Sequence, residues 1–223
     1  MAAYPREMPD HGASSISFEP QRVDYLSPET GGRIGAVAAG WPLWRMRLSL
    51  NNMAERDADI WRAWLANQRG GGRPFIAWDL ARELPRLHRD GRPIGAAPTG
   101  WSQTIDSEGD AQLTLAGFVL PVMLTVGDYV GFKWDAAGAP AGSYGRRALV
   151  RVTKGATADT GGSVTVTIDP PVPMIVPPGA QAHLDRPACL MRLVTGSTQF
   201  GEQLFGGYTA QGGVIEAVQD LLP

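Results

Sequence analysis

The fold of this chain is decided by residues 41–79, which read WPLWRMRLSLNNMAERDADIWRAWLANQRGGGRPFIAWD. Trp41 to Leu50 alternates apolar and polar side chains, the two-residue period of a strand with one buried face. Residues 52–70 then repeat apolar side chains at helical spacing, and residues 73–79 return to a strand pattern. This order predicts a sheet with one amphipathic helix packed on it.

The sequence also predicts how this helix begins, ends and packs. Asn52 is the expected N-cap, with Glu55 three residues later completing a capping-box pair, and the glycines at 70–72 supply a left-handed exit. The predicted buried stripe consists of Met53, Ala54, Ala58, Ile60, Trp61, Trp64 and Leu65. We expect an aromatic core cluster, rather than a ligand-stacking platform, from Trp44, Trp61, Trp64, Phe75 and Trp78.

The rest of the chain is a series of short strand patterns separated by turn residues, and 28 Gly and 18 Pro among 223 residues favour such a structure. Three regions follow one another: residues up to about Leu84, residues 85–186, and residues from Pro187. The further candidate strands are 14–18, 22–26, 111–115, 118–125, 129–133, 147–152, 164–168, 181–185, 189–194 and 214–218. The fold class is therefore mostly β, and the spacing of the middle strands suggests a small barrel or sandwich.

Composition excludes several classes of protein. A formal net charge of −2 argues against a dedicated nucleic-acid-binding protein. Cys189 is the one cysteine, which excludes an intrachain disulfide and a multi-cysteine metal site, and its apolar neighbours indicate a buried structural thiol. The most apolar stretch, 118–126, contains Pro121 and is too short to span a bilayer. The N-terminus lacks a secretory pattern, so we expect folding in the cytoplasm and no membrane partner.

A search for catalytic groups returns nothing that the sequence supports. The histidines, His11, His88 and His183, form no cluster with metal-ligand spacing, and each is expected to be structural. His88 lies in a charged stretch that should be exposed. Residues 106–110 have the composition of a solvated turn. We therefore expect no enzyme and no catalytic, cofactor-binding or metal-binding residues; a hydrolytic enzyme would be reconsidered if changing Asp79, His88 or His183 abolished an activity.

The sequence contains one basic run, formed by Arg82, Arg86, Arg89 and Arg92 and interleaved with acidic residues. Nucleic-acid sites combine basic residues with aromatic side chains, and no aromatic side chains accompany these arginines. We interpret the run as a solvated face or one that contacts another subunit.

Several of these motifs, in this order, resemble a known family. The helix around Trp61 and Trp64, the glycine-rich exit and the strand RPFIAWD (73–79) are similar to the N-terminal part of distal tail proteins and related minor tail-tip proteins of long-tailed, siphovirus-like bacteriophages. The later stretches LTVGDYV (124–130), LVRVT (149–153), VTIDPPV (166–172) and Gly179-Ala180 are similar to the later motifs of the same proteins.

The resemblance implies a β-sandwich with one packed α-helix and a second small β domain. On it, residues 1–84 with 187–223 form the ring-building sandwich and residues 85–186 an inserted small β-barrel or sandwich. It implies a ring, expected to be hexameric, that joins the tail tube protein to the tip hub or fibre proteins in the virion tail. No active residues come with it. The segment up to Pro20 and the loop 197–213 are the candidates for inter-subunit arms.

A carbohydrate-binding β-sandwich module is the main alternative. Aromatic side chains on the surface of such modules stack on sugars, and this function would require some of Trp41, Trp101 and Trp134 to be exposed together.

Overall fold

A computed structural model describes residues 5–28, 32, 34–38, 40–89, 94, 97–119, 121–202 and 209–221. Within these residues the chain forms eighteen β-strands, one α-helix and two short 3₁₀ turns. The prediction of a mostly β fold with one helix is confirmed. No helix of the described part is long and apolar enough to cross a membrane.

In chain order the strands of the first half are β1 (Arg6–Glu7), β2 (Ala13–Gln21), β3 (Asp24–Pro28), β4 (Ile34–Ala38), β5 (Leu43–Leu50), β6 (Met53–Ala54), β7 (Phe75–Trp78), β8 (Gly100–Ile105) and β9 (Ala111–Ala116). Those of the second half are β10 (Met123–Leu124), β11 (Tyr129–Trp134), β12 (Arg146–Lys154), β13 (Ala156–Thr157), β14 (Val164–Asp169), β15 (Gln181–His183), β16 (Ala188–Leu193), β17 (Thr209–Ala210) and β18 (Val214–Gln219). The helix α1 is Glu55–Gln68, and the 3₁₀ turns are Gly70–Gly72 and Arg86–His88.

Two six-stranded sheets organise the molecule. The first has the order β1-β7-β16-β18-β5-β2, and the second has the order β15-β11-β12-β14-β9-β8. In the sequence, all strands of the second sheet come after β7 and before β16. These two strands are antiparallel neighbours in the first sheet, where Trp78 pairs with Ala188. The chain therefore leaves the first sheet and returns to it at one point. Three smaller pairs complete the structure: β3–β4, β6–β17 and β10–β13.

The helix covers one face of the first sheet, but its details differ from the sequence prediction. Its N-cap is Ala54 with no side-chain cap, so the prediction of Asn52 as N-cap is wrong. Residues 53 and 54 are extended because they pair with β17, and the Asn52 side chain accepts a hydrogen bond from Gly212 N at 3.2 Å instead. Ile60 is 45% exposed and Ala54 is exposed within β6, so neither belongs to the buried stripe. The helix ends at Gln68, and its left-handed exit is formed by Arg69 (φ 51°) and Gly70 (φ 63°), so the predicted glycine exit is correct for Gly70 alone.

The predicted aromatic cluster is confirmed as part of the first core, where all five of its members are buried. Trp64 packs edge-on against Phe75, with ring centroids 4.8 Å apart, and against Trp61 at 5.7 Å. The indole N–H of Trp61 donates to His11 O at 3.1 Å and that of Trp64 to Glu7 O at 3.0 Å. Both bonds attach the N-terminal segment to the helix. They also satisfy the two buried indole N–H groups, as is usual for buried tryptophans.

Part of the predicted arm is therefore built into its own subunit. Met8 is 3% exposed, and β2 pairs with β5 from Ala13 to Gln21. Residues 5–20 thus contribute to both edges of the first sheet, through β1 and β2, and are not a free arm.

The second core lies within the second sheet and is made of aliphatic side chains with Phe118, Phe132 and Trp134. The predicted strand 118–125 is present only at Met123–Leu124, and Pro121 lies in the part that is not a strand. The strand β8 has no counterpart among the sequence predictions, and neither has β4.

Buried polar bonds join the two sheets. The indole N–H of Trp44, in β5, donates to Leu149 O, in β12, at 2.7 Å. The Tyr129 hydroxyl donates to the Asp79 carboxylate at 3.1 Å, and the Tyr129 ring contacts Trp44 edge-on with centroids 5.6 Å apart. Because these groups are desolvated, their bonds fix the orientation of one sheet on the other.

Candidate interaction surface

The three histidines have different surroundings. The His11 ring lies against Trp61 of the helix, with centroids 5.8 Å apart and the two rings tilted by 50°. His88, which the sequence predicted to be exposed, is 4% exposed, because its ring accepts a hydrogen bond from Met123 N at 3.2 Å. His183 is 8% exposed in β15. Burial, followed by the positive charges of Arg147 and Lys133, lowers the pKa of His183 to about 4, so its ring is neutral at pH 7.

Asp79 is the buried carboxylate nearest to the junction of the sheets. It accepts hydrogen bonds from Ala81 N at 2.9 Å and from the Tyr129 hydroxyl at 3.1 Å. Burial is the main cause that raises the pKa of Tyr129, and the Asp79 charge adds to it. Asp79 and the two buried histidines do not come together in one site. The Asp79 carboxylate instead stabilises the turn after β7 and accepts the hydrogen bond of the Tyr129 hydroxyl.

Residues that could hold a metal do not cluster in the described part of the chain. Residues 106–110 form an exposed turn, as predicted, in which the Asp106 carboxylate accepts from the backbone N–H groups of Glu108 and Asp110. The hydrogen bond from Gln112 and those backbone bonds lower the pKa of Asp106. Cys189 is fully buried, and burial raises the pKa of its thiol. The prediction of a structural thiol fits this position.

The three tryptophans of a possible sugar platform are not exposed together. Trp134 is 8% exposed, and the Trp101 indole donates to Ala180 O at 2.9 Å while its ring packs on Phe132. Trp41 is 38% exposed and lines a cleft of about 630 Å³. The charged residues around that cleft are Arg22, Asp24, Asp110 and Asp169.

The most unusual surface is the pair of strands β3 and β4, which we call the apolar hairpin. All five residues of β3 are exposed. Tyr25 pairs with Val37 on one face, and they are 70% and 67% exposed. Leu26 and Ile34 lie on the other face and are 67% and 68% exposed. A two-stranded hairpin is marginally stable alone, and exposed apolar side chains on both of its faces are typical of surfaces that contact other molecules.

The sequence signal for this surface was present but incomplete. Residues 22–26 were predicted to be a strand, whereas the partner strand is IGAVA (34–38), whose glycine and alanines show no apolar–polar alternation. The hairpin is exposed because β3 and β4 pair with each other and join neither six-stranded sheet, which a local pattern does not encode. The second candidate arm, loop 197–213, contacts β18 through the bridge between Gln199 and Val214, and its strand β17 pairs with β6; its residues 203–208 lie outside the described part.

A second exposed surface lies on the arginine run. Arg86 N donates to the Asp128 carboxylate at 2.9 Å, and His88 accepts from Met123 N, so the 3₁₀ turn lies against residues 123–128. Three apolar side chains are exposed there: Leu87 (36%), Met123 (38%) and Val126 (64%). With the exposed Arg86 and Arg89 they form what we call the Arg86 patch.

The other arginines of the run are partly used within the chain. Arg82 donates to Gly127 O, and Arg89 donates to Ala81 O. Arg92 lies outside the described residues. The side of the run that carries Arg82 thus faces the second sheet, and the side that carries Arg86 faces outward.

Comparison with known proteins adds no relative: no protein-family model matches the chain, and no curated protein matches its sequence.

Proposed function

We propose that this chain is a structural subunit of the tail tip of a long-tailed bacteriophage, and not an enzyme. The observation that carries the proposal is the apolar hairpin, whose exposed side chains on both faces require a covering partner. A subunit that self-assembles needs such a contact surface and no catalytic machinery. The motifs of residues 61–79 and 124–180, which resemble distal tail and minor tail-tip proteins, supply the biological setting.

The proposal includes a closed ring, with six copies as the expected number, placed between the tail tube protein and the hub or fibre proteins of the virion tail. The rigid junction at Trp44 and Tyr129 supports this role, because a connector that bears load gains from two sheets held in one orientation. The edge strand β2 offers a further place where a neighbour's backbone can pair.

The test is the native mass of the purified chain over a wide concentration range, followed by imaging with isolated tail tubes. A closed oligomer that caps the tubes is the expected result. A chain that neither self-associates nor binds tubes or tip proteins would refute the proposal.

A carbohydrate-binding module is the alternative, and one observation favours it: Trp41 is exposed in a cleft beside the carboxylates of Asp24, Asp110 and Asp169. An indole face with hydrogen-bond acceptors around it suits a sugar. Glycan-array binding that Trp41→Ala abolishes, while Trp134→Phe retains it, would support this function over the ring.

A further inference from the structure

We propose that the apolar hairpin of one copy docks on the Arg86 patch of the next copy. This inference rests on the proposed ring and deepens it, because it names the two surfaces that meet. Both surfaces belong to one chain, and both are exposed in the isolated subunit. Since neither surface covers the other within one chain, a contact between them joins two copies.

Apolar complementarity is the first argument. The hairpin presents Tyr25 with Val37 on one face and Leu26 with Ile34 on the other. The patch presents Leu87, Met123 and Val126. Methionine adapts its shape to an incoming side chain, and the patch is held in place from below by the hydrogen bonds of His88 and Asp128. The Arg86 patch is therefore a preorganised apolar surface, and the apolar hairpin is a strand pair whose apolar side chains are exposed.

Charge complementarity is the second argument. Asp24 begins the hairpin, and Asp110 lies beside it on the same cleft; both are exposed. The patch carries the exposed Arg86 and Arg89. In the described part of the chain, no ion pair uses Asp24, Asp110 or Arg86. An acidic rim at the hairpin base and a basic rim on the patch thus steer the two surfaces together and exclude hairpin-to-hairpin docking.

The symmetry of the contact follows from these surfaces. Because the hairpin and the patch are different parts of the chain, their contact is head-to-tail, and head-to-tail contacts generate rings when the rotation closes. Hairpin-to-hairpin contact would be isologous and would end at a dimer.

The experiment uses two full-length variants and a control. Leu26→Asp places a charge on the hairpin, Met123→Asp places one on the patch, and Ile60→Asp does so on the outer face of the helix, where exposure is similar to that of Met123. Circular dichroism and thermal unfolding confirm that each variant folds. Sedimentation velocity and native mass spectrometry then give the oligomeric state of each variant alone and of mixtures.

We expect the wild type and Ile60→Asp to form the same closed oligomer, and each of the other two variants to be monomeric alone. Mixed together, Leu26→Asp and Met123→Asp retain one intact hairpin and one intact patch, so they form a dimer and stop there. A charge reversal serves as a second test: Arg86→Asp weakens assembly at least tenfold, and adding Asp24→Arg in the same chain restores much of it.

Three outcomes would overturn the docking. A closed oligomer that survives both variants would place the contact elsewhere. Self-association of Met123→Asp alone into dimers would show hairpin-to-hairpin contact. A wild type that stays monomeric at its highest soluble concentration would refute self-docking, while the tail-tip role would be decided separately by binding to tail tubes.

Discussion

Lowering the pH from 7.5 to 4.5 should destabilise the protein through His183. Its ring is buried against Gly131, where an added methyl group would lie 2.5 Å from the ring. Burial is the largest cause that lowers its pKa to about 4, and the charges of Arg147 and Lys133 add to it. An unfolded chain returns the group to an ordinary value near 6.5.

The sign follows from that difference. Because the pKa in the folded protein is depressed, the unfolded chain binds the proton first, and stability is lost as the pH falls from about 6.5 towards 4. The difference between these two pKa values corresponds to roughly 3 kcal/mol of stability, most of which is lost by pH 4.5. Above pH 7.5 the group contributes no further pH dependence.

The assay is urea unfolding at several pH values for the wild type, His183→Gln and the control His11→Gln. We expect the free energy of unfolding of the wild type to fall by roughly 2–3 kcal/mol more over this range than that of His183→Gln. Carboxylates such as Asp106 and Asp135, whose pKa values are lowered by hydrogen bonds, contribute equally to all three proteins. Parallel pH profiles for the wild type and His183→Gln would refute the reasoning.

Three further predictions concern the junction and the core. Trp44→Phe leaves Leu149 O without its indole donor and should lower the free energy of unfolding by about 1–3 kcal/mol, measured in urea. Tyr129→Phe removes the donor to Asp79; because the pKa of Tyr129 is raised, the wild type should lose stability above about pH 10 and this variant should lack that loss, which alkaline unfolding curves would reveal. Cys189 should resist thiol reagents in the folded protein and react in urea, and rapid labelling of the native chain would contradict its burial.

Local patterns predicted those parts of the fold that local physics determines. The alternation in β5 and the helical stripe around Trp61 and Trp64 identified the first core, because buried faces impose a period on the sequence. The same logic failed for Asn52, whose neighbours pair with residues 209–210, far along the chain. It failed also for His88, whose charged neighbours suggest exposure while residue 123 covers the ring.

The candidate surface was predictable only in part for the same reason. The arginine run was visible as a charged face, but the side chains that share its surface, Met123 and Val126, are brought there by hydrogen bonds between distant segments. The apolar hairpin has no alternation in β4, and its exposure depends on the fact that its strands join neither large sheet. No local sequence pattern distinguishes a strand that its own chain covers from one that stays exposed.

The position of the second sheet has a consequence for how such a chain can change over generations. It is entered after Trp78 and left before Ala188, two residues that are paired across neighbouring strands. A short turn could bridge that gap, so the whole of residues 79–187 behaves as a cassette whose two ends meet. Cassettes of different size or binding preference could be exchanged at this point while the first sheet, its helix and the apolar hairpin stay the same. An exchanged cassette would still have to supply the acceptor at Leu149 and the hydroxyl at Tyr129, and it would bring its own version of the Arg86 patch, because all of these lie within residues 79–187.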